Sequence, residues 1–383
     1  MRPTYRAALF TAVTAAVLSV ALPAGAGATA RPGYGRADLQ RDVDAIKEVG
    51  TIGVQARVTD RGEDLVATAG TAVHGTRRPV PANGYSRIAS TTKTFVATVA
   101  LQLVAEGRMS LDDTVEKLLP GVVRGNGNDG DKITLRMLLQ HTSGLYDAYP
   151  GYGSIEEILE HRYDRFTEAE IVAKAVRHKP EFRPGAEWRY NNTGYLLISL
   201  IIEKATGRPW HKEVAARVSK PLGLSRTLWS GRSNEVPKPH ARGYLVMPPA
   251  KPVDLTSKFD GDAAGGLIST TADTGRFLRA LLGGKLLPAA QLAQMKKTVR
   301  APAHEAVWPG ARYGLGLSSR PLSCGGLYWH HGGDDYGYKT RTGVSADGRR
   351  SVVVFMSTQI GDERSLKQEK AAGDLIDRAL CAS

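Results

Sequence analysis

The chain has 383 residues, 42% hydrophobic and 23% charged, with 51 Lys and Arg against 38 Asp and Glu for a formal charge of +13. That composition excludes a disordered polyelectrolyte or a disulfide-dense miniature, and the length suits one large domain or two closely joined halves. Basic residues are scattered and interrupted by acids, as on a solvated surface, so no nucleic-acid face is indicated.

Arg2 and Arg6 precede an apolar run over 7–22, then Pro23 and a small-residue tail ending in Ala30. This is the pattern of a secretory signal peptide over 1–30. Cleavage after Ala30, or alternatively after Ala26, leaves an exported chain, and losing Arg2 and Arg6 takes the charge from +13 to +11. No later stretch offers the roughly 20 apolar residues of a membrane span, so no stable membrane anchor is expected.

Periodicity then predicts a helix over 38–49 and strands over 53–59 and 65–68, parted by an Arg61-Gly62 turn. Helices are expected at 94–106, 134–140, 168–177, 194–205 and 211–218, divided by loops rich in Gly, Pro and Asp. Helices over 271–282 and 289–297 lead to strands at 313–318, 327–331, 338–344 and 350–356, and a helix over 368–380 follows. Strands at both ends with helices between imply an α/β chain of the α+β type. An antiparallel sheet built from 31–89 and 260–383, flanked by the terminal helices, would face an inserted all-helical half, 90–259. The cleft between two such halves is a common place for an active site.

Only Cys324 and Cys381 are present. Export puts them in an oxidising compartment, where a disulfide between them would tie the terminal helix to a strand and contribute about 4 kcal/mol on the chain-entropy model. Two buried thiols are the alternative, and neither cysteine sits in a motif resembling a thiolate nucleophile.

Three short motifs carry chemistry. In "YSRIASTTKTFVATVALQLVAEG", Ser90 and Lys93 are three apart at a helix start, so one face can bring hydroxyl and amine together beside unpaired backbone N–H groups. An alcohol attacks only when a base takes its proton, and a lysine serves only when neutral, a change of about three pKa units worth roughly 4 kcal/mol. The bland alternative is an N-cap serine and a solvated lysine. In "EWRYNNTGYLLISLIIEKATG", Tyr190 and Asn192 precede an apolar helix. A phenol that loses its proton beside a cation could accept one from Ser90, and Asn192 could orient Lys93 and a substrate amide; alternatively these are a loop aromatic and a helix cap. In "GLYWHHGGDDYGYKTRTG", a strand ending in His-x-Gly can present an imidazole where glycine admits a substrate backbone. His330 and His331 point to opposite strand faces, which weakens a metal site with Asp334 and Asp335; no metal or other cofactor is expected.

In the order S-x-x-K, Y-x-N, H-x-G, the chain resembles the penicillin-recognising serine hydrolases, D-alanyl-D-alanine carboxypeptidases and class C β-lactamases above all. Segments such as "ITLRMLLQHTSGLYD" and "AAGGLISTTADTGRFLRALLGGKLL" are similar to those of the family, through nearly all of 31–383. The resemblance implies a β-lactamase/transpeptidase-like fold with Ser90 as acylated nucleophile, Lys93 as its base or relay, Tyr190 as proton shuttle and Asn192 on the substrate amide. It puts His331 at the third-motif position, the backbone N–H groups of Ser90 and Asp334 in the oxyanion hole, and Gly332, Gly333, Asp334 and Arg320 beside the substrate. The two cysteines sit where such a carboxypeptidase has its disulfide. Expected partners are peptide or small-molecule substrates, peptidoglycan stem peptides among them, with β-lactams as inhibitors or substrates.

The chain departs from that pattern at the arginine expected near the end of "YGLGL", which is Ser318 here, with Arg320 two residues on. Gly332 and Asp334 stand where relatives carry threonines. Asp334, Asp335 and Asp262 would suit a substrate with a free ammonium group; the alternative for Asp334 and Asp335 is that they cap the strand end and turn. A D-alanyl-D-alanine carboxypeptidase is the first expectation; a D-aminopeptidase, D-amino-acid amidase or esterase is the alternative, and a penicillin-binding sensor without turnover is a third.

Overall fold

The computed structural model describes residues 33–231, 233–258 and 261–382; the signal-peptide pattern at 1–30 lies outside them. Helix α1 (Arg36–Glu48) buries Leu39, Val43 and Ile46, which recur at helical spacing on one face. The hairpin of β1 (Gly53–Asp60) and β2 (Glu63–Gly70) turns at Arg61 and Gly62, both at positive φ as a tight two-residue turn requires.

The chain then leaves the sheet. A turn of 3-10 helix, Ala89–Thr91, leads into α2 (Thr92–Ala105), where every residue from Thr92 to Leu101 is buried. A helix apolar on all sides belongs at the centre of a core. Helices α3 (Leu135–Gln140), α4 (Ile155–His161) and α5 (Asn192–Thr206) follow; α5 packs against α2 and α3, whereas Ile158 of α4 rests on Leu245 and Leu255. α6 (Thr271–Leu282) returns to the sheet and stacks Phe277 on Phe95 of α2.

The last third supplies β3 (Val299–Arg300), the short helix α7 (Pro302–Val307), β4 (Arg312–Tyr313), β5 (Ser318–Pro321), β6 (Leu327–His330), β7 (Gly333–Asp335), β8 (Tyr338–Ser345) and β9 (Arg350–Met356), then α8 (Arg364–Cys381). Among the described residues the main antiparallel sheet runs β3-β4-β5-β6-β8-β9-β1-β2, with β7 paired to β8. β9 closes it on β1, Met356 opposite Val54 and Val352 opposite Val58. Val352, Val354 and Met356 face the layer of α1 and α8, while Val353 and Phe355 face the core of α2, α5 and α6, as strand alternation dictates. A Cys324–Cys381 disulfide fastens the end of α8 to the β5–β6 turn. No helix among the described residues is long and apolar enough to cross a membrane.

Several expectations shift. The strand expected over 313–318 is two strands, because Gly314 N–H donates to the Leu317 carbonyl and Gly316 turns at φ +74°. An added Cβ on Gly314 would lie 2.2 Å from the Met295 carbonyl oxygen, so the turn is pressed against its neighbour. Helices α4 and α7 were not expected at all. The inserted part also carries short strands, at Leu228–Trp229, Tyr244–Val246 and Val253–Asp254.

Candidate active site

The 3-10 turn before α2 aims Ser90 into a cleft of about 460 Å³ between the helical part and β7. Ala89 is held at φ +45°, a region costly for any residue with a side chain, and the surrounding packing enforces it. β7 lies directly against this turn: a Cβ on Gly333 would come 2.1 Å from the Ile88 carbonyl oxygen. Glycine at 333 thus brings the third motif to the serine, and does not itself line the cleft.

Lys93 Nζ lies 3.0 Å from Ser90 Oγ, 2.9 Å from Asn192 Oδ1 and 2.7 Å from the Ala264 carbonyl oxygen. Tyr190 lines the cleft beside Ser90, and Lys93 Nζ is 5.0 Å from the Tyr190 ring centre. Four residues from two distant helix starts therefore meet at one point. Burial raises the Tyr190 phenol above its ordinary range, outweighing the neighbouring Ser90 hydroxyl, which lowers it. The phenol is therefore protonated at rest, contrary to a tyrosinate waiting to accept.

Asn192 owes its aim to a residue that sequence reasoning missed. The Asp147 carboxylate accepts from Asn192 N–H at 3.0 Å, Asn192 Nδ2 at 3.0 Å, Thr193 N–H at 3.1 Å and Thr193 Oγ1 at 3.0 Å. It occupies the positive end of α5, where unpaired N–H groups favour an anion. With Nδ2 turned to Asp147, Asn192 presents its oxygen to Lys93, and its amide is committed to the protein. Asp147 ends the "HTSGLYD" segment, but no local spacing ties it to a helix start 45 residues later.

Of the paired histidines, His331 lines the cleft and His330 does not. The Gly332 carbonyl lies 2.7 Å from His331 Nδ1, which must donate to it, so in the neutral ring Nε2 accepts from the Tyr313 hydroxyl at 2.9 Å. Burial, and next the charge of Lys93, depresses His331 to about 3. His330 is buried between Trp308 and Tyr328. A third imidazole, His141, packs 4.3 Å from the Tyr190 ring and accepts from Asn191 N–H at 3.2 Å; burial depresses it too.

Asp334 and Gly332 line the cleft, with the Asp334 side chain 46% exposed. Its carboxylate is bidentate to Arg341 Nη2 at 2.9 and 3.0 Å and 3.4 Å from Lys339 Nζ, and Glu369 neutralises the same two cations from below. Asp335 pairs with Lys258 at 2.7 Å. Asp262 is no mouth carboxylate: it is buried, accepting from Tyr149 Oη at 2.6 Å and Ala264 N–H at 2.7 Å. Arg320 is likewise corrected. Ser318 lines the cleft, but the Arg320 guanidinium lies 5.8 Å over the Tyr328 ring and against Gly373 of α8, away from the substrate space.

The rim was the least foreseen. Tyr149, Tyr152, Ile158, His161, Asp164 and Phe166 form one wall, and His304 and Trp308 of the α7 region form part of the other. Tyr152 N–H donates to the Tyr336 hydroxyl at 3.1 Å and His161 Nδ1 meets Asp164 at 2.7 Å, so the wall is tied across the cleft and within itself.

A fold of this kind with serine, lysine, tyrosine and asparagine at its floor defines a penicillin-recognising serine hydrolase. The Beta-lactamase family model matches residues 39–375, and the chain belongs to that family. A D-stereospecific amidohydrolase from Streptomyces sp. is similar at 40% identity over 87% of this chain and 98% of that one, TM-score 0.79. The D-amino acid amidase of Ochrobactrum anthropi SV3, in its complex with L-phenylalanine amide, is similar at 28% identity over 90% and 96%, TM-score 0.76. Penicillin-binding protein 4* of Bacillus subtilis is 26% identical over 78% of this chain. The chain spans 47% to 66% of the length of the first curated relatives it matches.

Proposed function

We propose that the protein is an exported serine amidohydrolase that forms an acyl-enzyme on Ser90 with substrates whose acyl part is a D-amino acid bearing a free ammonium group. The observation that carries it is the hydrogen-bonded set of Ser90, Lys93 and Asn192, with Tyr190 beside it, at the floor of a cleft with carboxylates on its wall. With Lys93 in its neutral form, Ser90 Oγ bonds to the substrate carbonyl carbon and gives its proton to the Lys93 amine, and the protonated Tyr190 phenol relays it. The C–N bond then breaks as that proton passes to the departing nitrogen, and water, entering by the reverse route, releases the D-amino acid. Backbone N–H groups of Ser90 and Asp334 hold the oxyanion, the kind of contact typically worth about 100 to 1000 in rate. Asp164, its side chain 56% exposed on the cleft wall, supplies negative charge for the ammonium group, whereas Asp334 is already paired with Arg341 and Lys339.

The amidohydrolase and amidase neighbours support this reading, as do the signal-peptide pattern and the disulfide for export. The second reading is a D-alanyl-D-alanine carboxypeptidase acting on peptidoglycan stem peptides and acylated by β-lactams, which the match to a penicillin-binding protein favours. Hydrolysis rates of a D-aminoacyl amide, the same amide N-acetylated, and an N-acylated D-Ala-D-Ala tripeptide separate the two. Faster turnover of the free-amine amide is expected; faster turnover of the tripeptide decides for the carboxypeptidase.

A further inference from the structure

The proton that leaves Ser90 must be delivered to the departing atom, so the leaving group lies on the side of the cleft where Tyr190 stands. That side is built by residues to which the mechanism gives no task. His304 lines the cleft with its ring 5.5 Å from Tyr190, 5.0 Å from Trp188 and 5.1 Å from Trp308. Its Nδ1 and the neighbouring Trp188 Nε1 are buried without hydrogen-bond partners among the described residues. The contrast with His331 is sharp, since Gly332 and Tyr313 lock that ring in one tautomer. The His304 ring is held by aromatic packing, and can turn either a lone pair or an N–H toward a ligand.

The described residues that line this side, Tyr190, His304, Trp308, Ser318 and His331, carry no formal charge. Burial and the Arg341 charge depress His304 to about 4 and His331 is lower still, so both rings are neutral at pH 7. Arg341 lies 5.5 Å from the Trp308 ring centre, but its charge is committed to Asp334 and Glu369. Ser318 completes the lining with a hydroxyl.

We propose that His304, with Trp308 and Ser318, forms the leaving-group wall of the cleft, and that this wall selects departing groups that are uncharged amines or alcohols over departing amino acids that carry a carboxylate. The inference rests on the acyl-enzyme reading of Ser90. A buried carboxylate there would meet no uncommitted cation among the described residues and would lose its hydration, whereas ammonia, an aromatic amine or an alcohol needs one hydrogen bond and an apolar face.

The test holds the acyl part fixed and varies the departing group: a D-aminoacyl amide, the matching anilide, and the matching D-aminoacyl-D-alanine dipeptide, each with wild type, His304→Gln and His304→Lys. In wild type the amide and anilide should exceed the dipeptide in kcat/KM by about 100-fold, the scale on which a site with no partner for a polar group rejects it. His304→Gln, neutral and hydrogen-bonding, should keep that ratio within about threefold, and His304→Lys should shift it at least about tenfold toward the dipeptide. A wild-type ratio near one, or a ratio unmoved by a folded His304→Lys protein, overturns the inference while leaving the hydrolase reading intact. Failure of wild type to turn over any of the three, with no acyl adduct on Ser90 by mass spectrometry, sinks the hydrolase reading and this inference with it.

Discussion

At the floor of the cleft each reactive side chain is fixed by several others. Lys93 touches Ser90, Asn192 and the Ala264 carbonyl, Asn192 is set by Asp147, and His331 is pinned at both ring nitrogens. At the rim the wall of 149–166 and α7 is less constrained: Leu159, Tyr163 and Val307 are exposed by 41%, 48% and 42%, and His304 Nδ1 has no hydrogen-bond partner among the described residues. Over-determined geometry suits groups that must meet within tenths of an ångström, while a loosely specified rim can change its ligand without disturbing them.

The largest break is at the floor. Ser90→Ala should lower turnover by at least about a thousandfold with the melting temperature nearly unchanged, since it deletes the nucleophile and one hydrogen bond. A fluorescent penicillin should label Ser90 in wild type and nothing in the variant, as peptide mapping would show. Under the floor, Glu369→Gln leaves Lys339 and Arg341 half-compensated in a buried setting. It should cost about 3 kcal/mol in urea unfolding. Because the two cations hold the Glu369 carboxyl below its ordinary range, that stability is present above about pH 4.5 and is lost as the medium becomes more acid.

Asp147→Asn tests whether positioning alone matters. It should lower kcat by roughly tenfold to a hundredfold with KM little changed, the cost of a misaimed group that touches no substrate; a KM effect alone would count against a positioning role. A smaller effect sharpens the contrast through pH. His304 and His331 stay neutral in the folded protein down to about 4 and about 3, while the unfolded chain takes up those protons from about pH 6.5 downward. Stability should therefore fall between pH 6.5 and 4, and His304→Gln should lessen the fall in calorimetric midpoint. The smallest is at the rim: Leu159→Ser should alter stability by less than about 0.5 kcal/mol and shift KM for bulky D-aminoacyl amides only a few fold.

The same division decided what the sequence could disclose. Ser90 and Lys93 were legible because one helical turn fixes their relation, and Tyr190 because it precedes a strongly apolar helix. His330 and His331 left a choice open, since alternation says that they diverge but not which side is the cleft. Arg320 misled: two residues along a strand share a face, yet β5 runs out of the cleft between Ser318 and Arg320 and delivers the guanidinium to Tyr328. Asp147 was hidden because its partners are distant in sequence. Helices α4 and α7 were hidden because they are short and bury little, Ile158 alone in α4 and nothing fully in α7. In the sheet, the strand expected over 313–318 failed on two glycines whose task is visible only against Met295 and Ala97.

The pairing of β9 with β1 has a consequence in time. A ribosome that has made the first 300 residues has already made the hydroxyl, the amine, the phenol and the amide, but not the strand that brings glycine 333 against the serine turn. A copy that stops short of residue 333 therefore lacks one wall of the cleft, however well its serine turn is formed.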